Sequence, residues 1–244
     1  MREAPDGFSN GHKLVLFDID GTLISAGRIA RDAILRSLET AYPWKAGEQH
    51  EDRSRYDFSG KTDPQIVRDL VEEHVGKEPF ESGLARALEL YIEELARQLA
   101  PSPEAVVPKP GIPQLLARLA EEPNVTLALL TGNLERGARL KLEPPGFNRY
   151  FSFGAFGSDS EDRYRLPRVA VDRARERTGR AFSGKSVVIV GDSIHDVACG
   201  RSLGVRAVAV ATGITSPERL AAERPDALMT DFADTERAVE AILG

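Results

Sequence analysis

At 244 residues, 41% hydrophobic and 29% charged, the chain has the composition of a folded enzyme-sized protein, not of a disordered or fibrous segment. A net charge of −6 argues against non-specific nucleic-acid binding, and no apolar stretch approaches the ~20 residues of a membrane helix. Its one cysteine, Cys199, cannot form an internal disulfide framework and fits a reducing, cytoplasmic setting.

Residues 1–12 are polar, without the apolar region of a secretory signal, and read as a disordered lead-in. The first apolar run, Leu14-Val15-Leu16-Phe17, predicts a buried strand that ends in Asp18-Ile19-Asp20-Gly21-Thr22. Alternation along a strand puts residues i and i+2 on one side, so both acids reach one small volume beyond the strand's end. Two carboxylates this close repel unless a cation or a shared proton compensates them. Asp18 is expected to face a solvated cleft.

Residues 25–105 contain no convincing strand but three amphipathic stripes. They are Ile29, Ala33, Ile34, Leu38; then Ile66, Val67, Leu70, Val71; then Leu84, Leu88, Tyr91, Leu95. Thr62 is placed to cap the second helix, with Pro64 in its first turn. In Gly60-Lys61-Thr62-Asp63 this capping reading is favoured over substrate contact, though the two are compatible. Four prolines between Leu99 and Gly111 suit a stiff re-entry linker. The segment is expected to be an all-helical domain inserted as a lid into a core of residues 1–24 and 106–244.

Beyond the linker, Val125–Leu130, Tyr150–Ala155, Val187–Val190, Arg206–Val210 and Ala227–Met229 read as strands. Helical stripes alternate with them: Ile112, Leu115, Leu116, Leu119, then Leu166, Val169, Ala170, Ala174, then Val197–Leu203 ending at Gly204. Continuously apolar strands alternating with helices predict an α/β fold: a doubly wound, Rossmann-like parallel sheet covered on both faces. Ligands bind such sheets beyond the carboxyl ends of the strands.

Three polar clusters follow predicted strands and so fall near Asp18 and Asp20. Thr131-Gly132-Asn133 offers a hydroxyl and backbone donors to an anion. Gly191-Asp192-Ser193-Ile194-His195-Asp196 adds two acids at a strand-to-helix turn. A basic run, Asp162-Arg163-Tyr164-Arg165-Leu166-Pro167-Arg168, precedes a helix. Asp18, Asp20 and Asp192 are hard oxygen ligands that suit Mg²⁺. A cation site, an anion cradle and a counter-charge are the parts phosphoryl transfer requires, and a carboxylate can itself be the nucleophile.

Asp18-x-Asp20-Gly21-Thr22, Thr131-Gly132-Asn133, a basic residue near 163 and Gly191-Asp192-Ser193-x-x-Asp196 resemble the four ordered motifs of the haloacid dehalogenase superfamily. The resemblance covers residues 13–231, and the helical insertion resembles that family's C1-type cap. Phosphoglycolate-phosphatase-like and phosphomutase-like members are the nearest in pattern. It implies Asp18 as nucleophile, Asp20 as general acid then base, and Thr131, with Gly132 and Asn133, binding phosphoryl oxygens. Mg²⁺ would be held by the Asp18 carboxylate, the Asp20 backbone carbonyl and Asp192, with Asp196 supporting it from behind. The third motif departs from the family, which places a Lys there; Arg163 is chosen, with Arg165 as its rival.

The implied activity is a Mg²⁺-dependent phosphatase of a small phosphorylated metabolite, phosphoglycolate-like or a sugar phosphate. A phosphosugar mutase is the alternative. A 2-haloacid dehalogenase does not need Asp20, and a phospho-accepting signalling module lacks a helical lid. Asp196 reads equally as a helix-dipole acid or a site residue, while His195 reads as exposed or loop-stabilising. Arginines 173, 175, 177 and 180 read as a solvated helix face, and Cys199 and Trp44 as packing residues. The stripes of the inserted helices suit a monomer's own core or a homodimer contact alike.

Overall fold

The computed structural model describes residues 11–42 and 56–244, the side chains of Glu73 and His74 excepted. The expected lead-in before residue 11, and Trp44, lie outside the described residues.

Six parallel strands form the central sheet: β1 (Lys13–Phe17), β4 (Val125–Leu130), β5 (Gly154–Ala155), β6 (Val187–Gly191), β7 (Arg206–Val210) and β8 (Ala227–Met229). Their order across the sheet is β5-β4-β1-β6-β7-β8, so β1 lies between the strands that carry the second and fourth polar clusters. Leu14, Val15, Leu16 and Phe17 are all fully buried, as a central strand covered on both faces requires. Leu14 and Leu16 face the core under α6 (Leu166–Thr178), while Val15 and Phe17 face a larger core that continues into the inserted helices.

The expected strand at Tyr150–Ala155 is shorter, starting only at Gly154. Phe147–Tyr150 makes a 3₁₀ turn instead, and Phe147, Phe151, Phe153 and Phe156 are spent on filling the core. Only Gly154 and Ala155 lie in register with Leu129 and Leu130 of β4.

Between Ser25 and Val107 the described chain is helical: α1 (Ile29–Ala41), α2 (Asp63–Val75) and α3 (Lys77–Leu99). Helix α3 packs against both α1 and α2. The stripe expected on α3 is rotated, because Phe80, Ala87, Tyr91, Ile92, Leu95 and Leu99 are buried while Leu84 and Leu88 sit at its flank. Two neighbours, α1 and α2, demand a wider apolar face than a single four-residue stripe.

The chain leaves and re-enters the sheet domain through one ribbon. Residues β2 (Ile24–Ser25) and β3 (Val107–Pro108) pair antiparallel, with Lys109 N–H donating to the Leu23 carbonyl at 3.0 Å. The re-entry linker is therefore a strand tied to the exit strand, and the junction falls within these pairs. The remaining helices are α4 (Ile112–Ala120), α5 (Glu135–Leu142), α7 (Ile194–Leu203), α8 (Pro217–Ala222) and α9 (Thr235–Leu243). No helix among the described residues is long and apolar enough to cross a membrane.

Candidate active site

The carboxyl ends of β1, β4 and β6 open into a cavity of about 640 Å³, walled on the far side by α1, the turn before α2, and Tyr91 of α3. Asp18, Asp20, Thr131, Gly132, Asn133, Arg163 and Asp192 all line it. The sheet brings these together because parallel strands in adjacent register end at one level.

Asp18 faces the cavity as expected, but little of it is exposed, and Arg163 packs against its carboxylate. Burial pushes its carboxyl up to about 7; the Arg163 charge opposes that shift, while Asp196 and Asp20 reinforce it. Asp192 is also held well above the ordinary carboxylate range, by burial first and then by Asp18 and Asp196. One Asp192 oxygen accepts from the Thr22 hydroxyl at 2.9 Å. A Cβ at Gly21 or Gly213 would overlap the Asp192 carboxylate, so both glycines are needed for that close approach. Gly21 also has φ +91°, which only glycine adopts without strain.

Asp18, Asp192 and Asp196 each offer a carboxylate oxygen within 4.8 Å of the others, and all three are buried. Three buried acids that converge on one point, all hard oxygen donors, fit a divalent cation. Asp196 is more fully engaged than its neighbours. Its Oδ2 accepts from the Ser193 N–H and hydroxyl, closing a capping box at the start of α7, and its Oδ1 takes Arg163 at 2.5 Å. Both of the roles weighed for Asp196 are therefore structurally available to one side chain.

Arg163 begins a 3₁₀ turn capped by Asp162, and its buried guanidinium reaches Asp18 at 3.2 Å. Arg165 points away, with its side chain 78% exposed and paired to Asp162. The short turn separates the two arginines by direction: one enters the site and the other enters water.

On the opposite side of the nucleophile candidate, Asn133 donates through Nδ2 to Asp20 Oδ2 and to the Thr131 hydroxyl, both at 2.8 Å. Thr131 itself is fully buried. Gly132 lies where the inserted helices meet the sheet. Its carbonyl accepts from Asp63 N–H at 2.8 Å, and the Lys61 carbonyl occupies the space a Cβ would need. Thr62 caps α2 by accepting from Gln65 N–H and also donates to the Glu161 carbonyl at 2.7 Å, so the cap position is also a docking contact.

His195 lies outside this cavity, its Nδ1 2.9 Å from the Tyr164 hydroxyl, and burial lowers its pKa. Cys199 is buried, its thiol pushed up to about 12, as an inert packing residue would be.

Sequence reasoning missed Lys141 and the placement of Asp63. Lys141 is buried on α5, with Nζ 2.7 Å from Asp20 Oδ2 and 2.6 Å from Asn133 Oδ1. Its signal is present in the chain: Gly137, Ala138, Lys141 and Leu142 share the buried face of α5, which puts a lysine on an apolar stripe. Asp63 is buried too, and its Oδ2 accepts from Leu134 N–H at 2.8 Å. Burial raises its carboxyl to about 6, against the opposing pull of Lys141 and that N–H.

The family model described as haloacid dehalogenase-like hydrolase matches residues 12–204. A phosphoglycolate phosphatase of Pseudomonas savastanoi pv. phaseolicola is 28% identical over 224 residues, covering 90% of this chain and 77% of the relative. One from Synechococcus elongatus is 27% identical over 229 residues, covering 94% and 98%. The crystal structure of CbbY from Rhodobacter sphaeroides in complex with phosphate shares the fold, with a TM-score of 0.70 at 18% identity, covering 91% of this chain and 96% of that one. With four motifs gathered at one end of the sheet and a family match across most of its length, this chain belongs to the haloacid dehalogenase-like hydrolases.

Proposed function

We propose that the chain is a Mg²⁺-dependent phosphatase that hydrolyses a small phosphorylated metabolite through an aspartyl-phosphate on Asp18. The observation that carries the reading is the pairing of a buried Asp18 carboxylate, 3.2 Å from a buried guanidinium, with a second carboxylate, Asp20, lining the same cavity. A nucleophile, a fixed counter-charge and a separate proton carrier are the minimum for two-step phosphoryl transfer.

In the first step an Asp18 oxygen bonds to phosphorus as the bond to the leaving oxygen breaks, and Asp20 protonates that oxygen. In the second, Asp20 takes a proton from water while the water oxygen attacks phosphorus and the Asp18–phosphorus bond breaks. Arg163, the Thr131 hydroxyl and the Gly132–Asn133 segment neutralise and hold the phosphoryl oxygens. A divalent cation held by Asp18 and Asp192, with Asp196 behind them, would supply further charge neutralisation when bound.

The helices between β2 and β3 act as the cap over this site and contact the leaving group. A 640 Å³ cavity suits a metabolite, and the names of the relatives favour phosphoglycolate or a comparably small sugar phosphate. A reducing, cytoplasmic location fits the one buried cysteine.

Hydrolysis of p-nitrophenyl phosphate and of a panel of phosphorylated metabolites, with Mg²⁺ against EDTA, tests the reading. Metal-dependent phosphate release is expected. No release from any substrate sinks it, and transfer of the phosphoryl group between sugar hydroxyls, seen by phosphorus NMR, replaces it with a mutase.

A further inference from the structure

We propose that Lys141 is a positioning residue for proton transfer: with Asn133 it pins Asp20 by Oδ2 and leaves Oδ1 as the atom that carries the proton. The proposal rests on the reading of Asp20 as acid and base given above.

Asp20 needs such a hold. Its side chain is 42% exposed at the cavity mouth, where an unrestrained carboxylate would sample several rotamers and spend little time aimed at the leaving oxygen. Two donors converge on one of its oxygens: Lys141 Nζ at 2.7 Å and Asn133 Nδ2 at 2.8 Å. A third contact closes the triangle, Lys141 Nζ to Asn133 Oδ1 at 2.6 Å, which also fixes the amide orientation so that Nδ2 faces Asp20. An oxygen facing an ammonium group and an amide N–H has no room and no electrostatic reason to bind a proton. Protonation therefore falls on Oδ1.

Lys141 is itself immobile. Its side chain is 3% exposed, held on the buried face of α5 among Gly137, Ala138 and Leu142. The acids facing it are Asp20 and Asp63, the second from the start of α2, with Tyr91 of α3 next to Asp63. The Tyr91 hydroxyl is buried with no hydrogen-bond partner of good geometry. Buried charge on charge is costly to build for packing alone, because an apolar side chain on that face of α5 would be as stable. Neither Lys141 nor Asn133 contacts the Arg163–Asp18 pair among the hydrogen bonds and ion pairs they form, so the proton carrier and the nucleophile are positioned by separate cations.

The step affected is specific. Displacement of p-nitrophenolate, a stable anion, needs no proton from Asp20, whereas hydrolysis of the aspartyl-phosphate needs Asp20 to accept one from water. Stopped-flow assay of p-nitrophenyl phosphate with Mg²⁺ resolves the two phases in wild type and Lys141→Met. The nitrophenolate burst should change less than about threefold, while the following steady rate should fall about 10²-fold, the cost of a misplaced catalytic group. Lys141→Arg, which can still donate to Oδ2, should recover part of the steady rate.

Where Lys141→Met alone does not fold, Asp63→Asn/Lys141→Met compared with Asp63→Asn carries the same measurement, since no buried charge is then left facing an uncompensated partner. Equal loss in both phases, or an unchanged steady rate, overturns the role of Lys141 and leaves the phosphatase reading standing. Absence of any turnover in wild type overturns both.

Discussion

Arg163 stands 2.5 Å from Asp196 and 3.2 Å from Asp18, joining the first turn of α7 to the end of β1 through one buried guanidinium. Two acids share the cation, so its removal uncovers two buried negative charges at once. Arg163→Met should lower stability by about 3–5 kcal/mol, the usual cost of breaking a buried pair, and reduce kcat at least ~10²-fold. Arg163→Lys should keep the fold, since a lysine also removes the Nε that now lies buried without a partner. Urea denaturation and phosphatase kinetics on both variants provide the check; a stable, active Arg163→Met would show that the arginine is not the counter-charge.

Asp18→Asn separates chemistry from folding. The buried Asp18 carboxylate costs stability when ionised, because burial raises its pKa to about 7, so the neutral amide should leave thermal stability unchanged or higher at pH 8 in EDTA. Turnover should fall by at least ~10³-fold, as for loss of a covalent nucleophile. Near-normal activity in this variant would disprove the aspartyl-phosphate route.

Cation binding should be linked to proton release. Asp18 and Asp192 both have raised proton affinity, Asp18 to about 7. For a group whose folded pKa is raised, the favourable contribution of its neutral form is lost as pH rises through that value, here near 7. Above pH 7 the site holds uncompensated charge that a divalent cation neutralises; below it, protons compete. At ~100 times its dissociation constant Mg²⁺ should stabilise the protein by about 2.7 kcal/mol, with a smaller gain at pH 6 than at pH 8. Thermal melts with Mg²⁺ or EDTA at the two pH values measure this, and a larger gain at the lower pH would contradict it.

Asp63 links stability to the contact between the inserted helices and the sheet. Its N–H donates to Gly132 and its carboxylate accepts from Leu134 N–H, while burial raises its pKa from 3.8 to about 6. Stability from the neutral form is full below about pH 4 and lost as pH rises through 6. Asp63→Asn keeps an acceptor for Leu134 but carries no charge. It should therefore match wild type near pH 4 and exceed it at pH 7, by on the order of 2–3 kcal/mol. Denaturation curves at both pH values decide; a variant less stable than wild type at pH 7 would mean that the Lys141 attraction outweighs the burial cost.

The sheet, its parallel sense and the positions of Asp18, Asp20, Thr131 and Asp192 at strand ends were legible from the chain, as was Arg163 in the turn before α6, because apolar runs closed by polar turns are local patterns. The family match across residues 12–204 agrees with the motif order read from the same residues. Other features were not local. The shortening of β5 depends on which aromatic side chains the core claims, and the β2–β3 ribbon joins residues more than eighty positions apart. How little of Asp18 is left exposed to the cavity is not local either, because the side chain against it is Arg163, brought from 145 residues away. Lys141 was passed over for the same reason, since a lysine's partner is chosen by which helix face turns inward. Composition and periodicity thus determined the fold class and which acids gather at the carboxyl ends of the strands. Only the tertiary structure decided which cation meets which acid, because ion pairing in a buried site depends on distance in space and not on spacing along the chain.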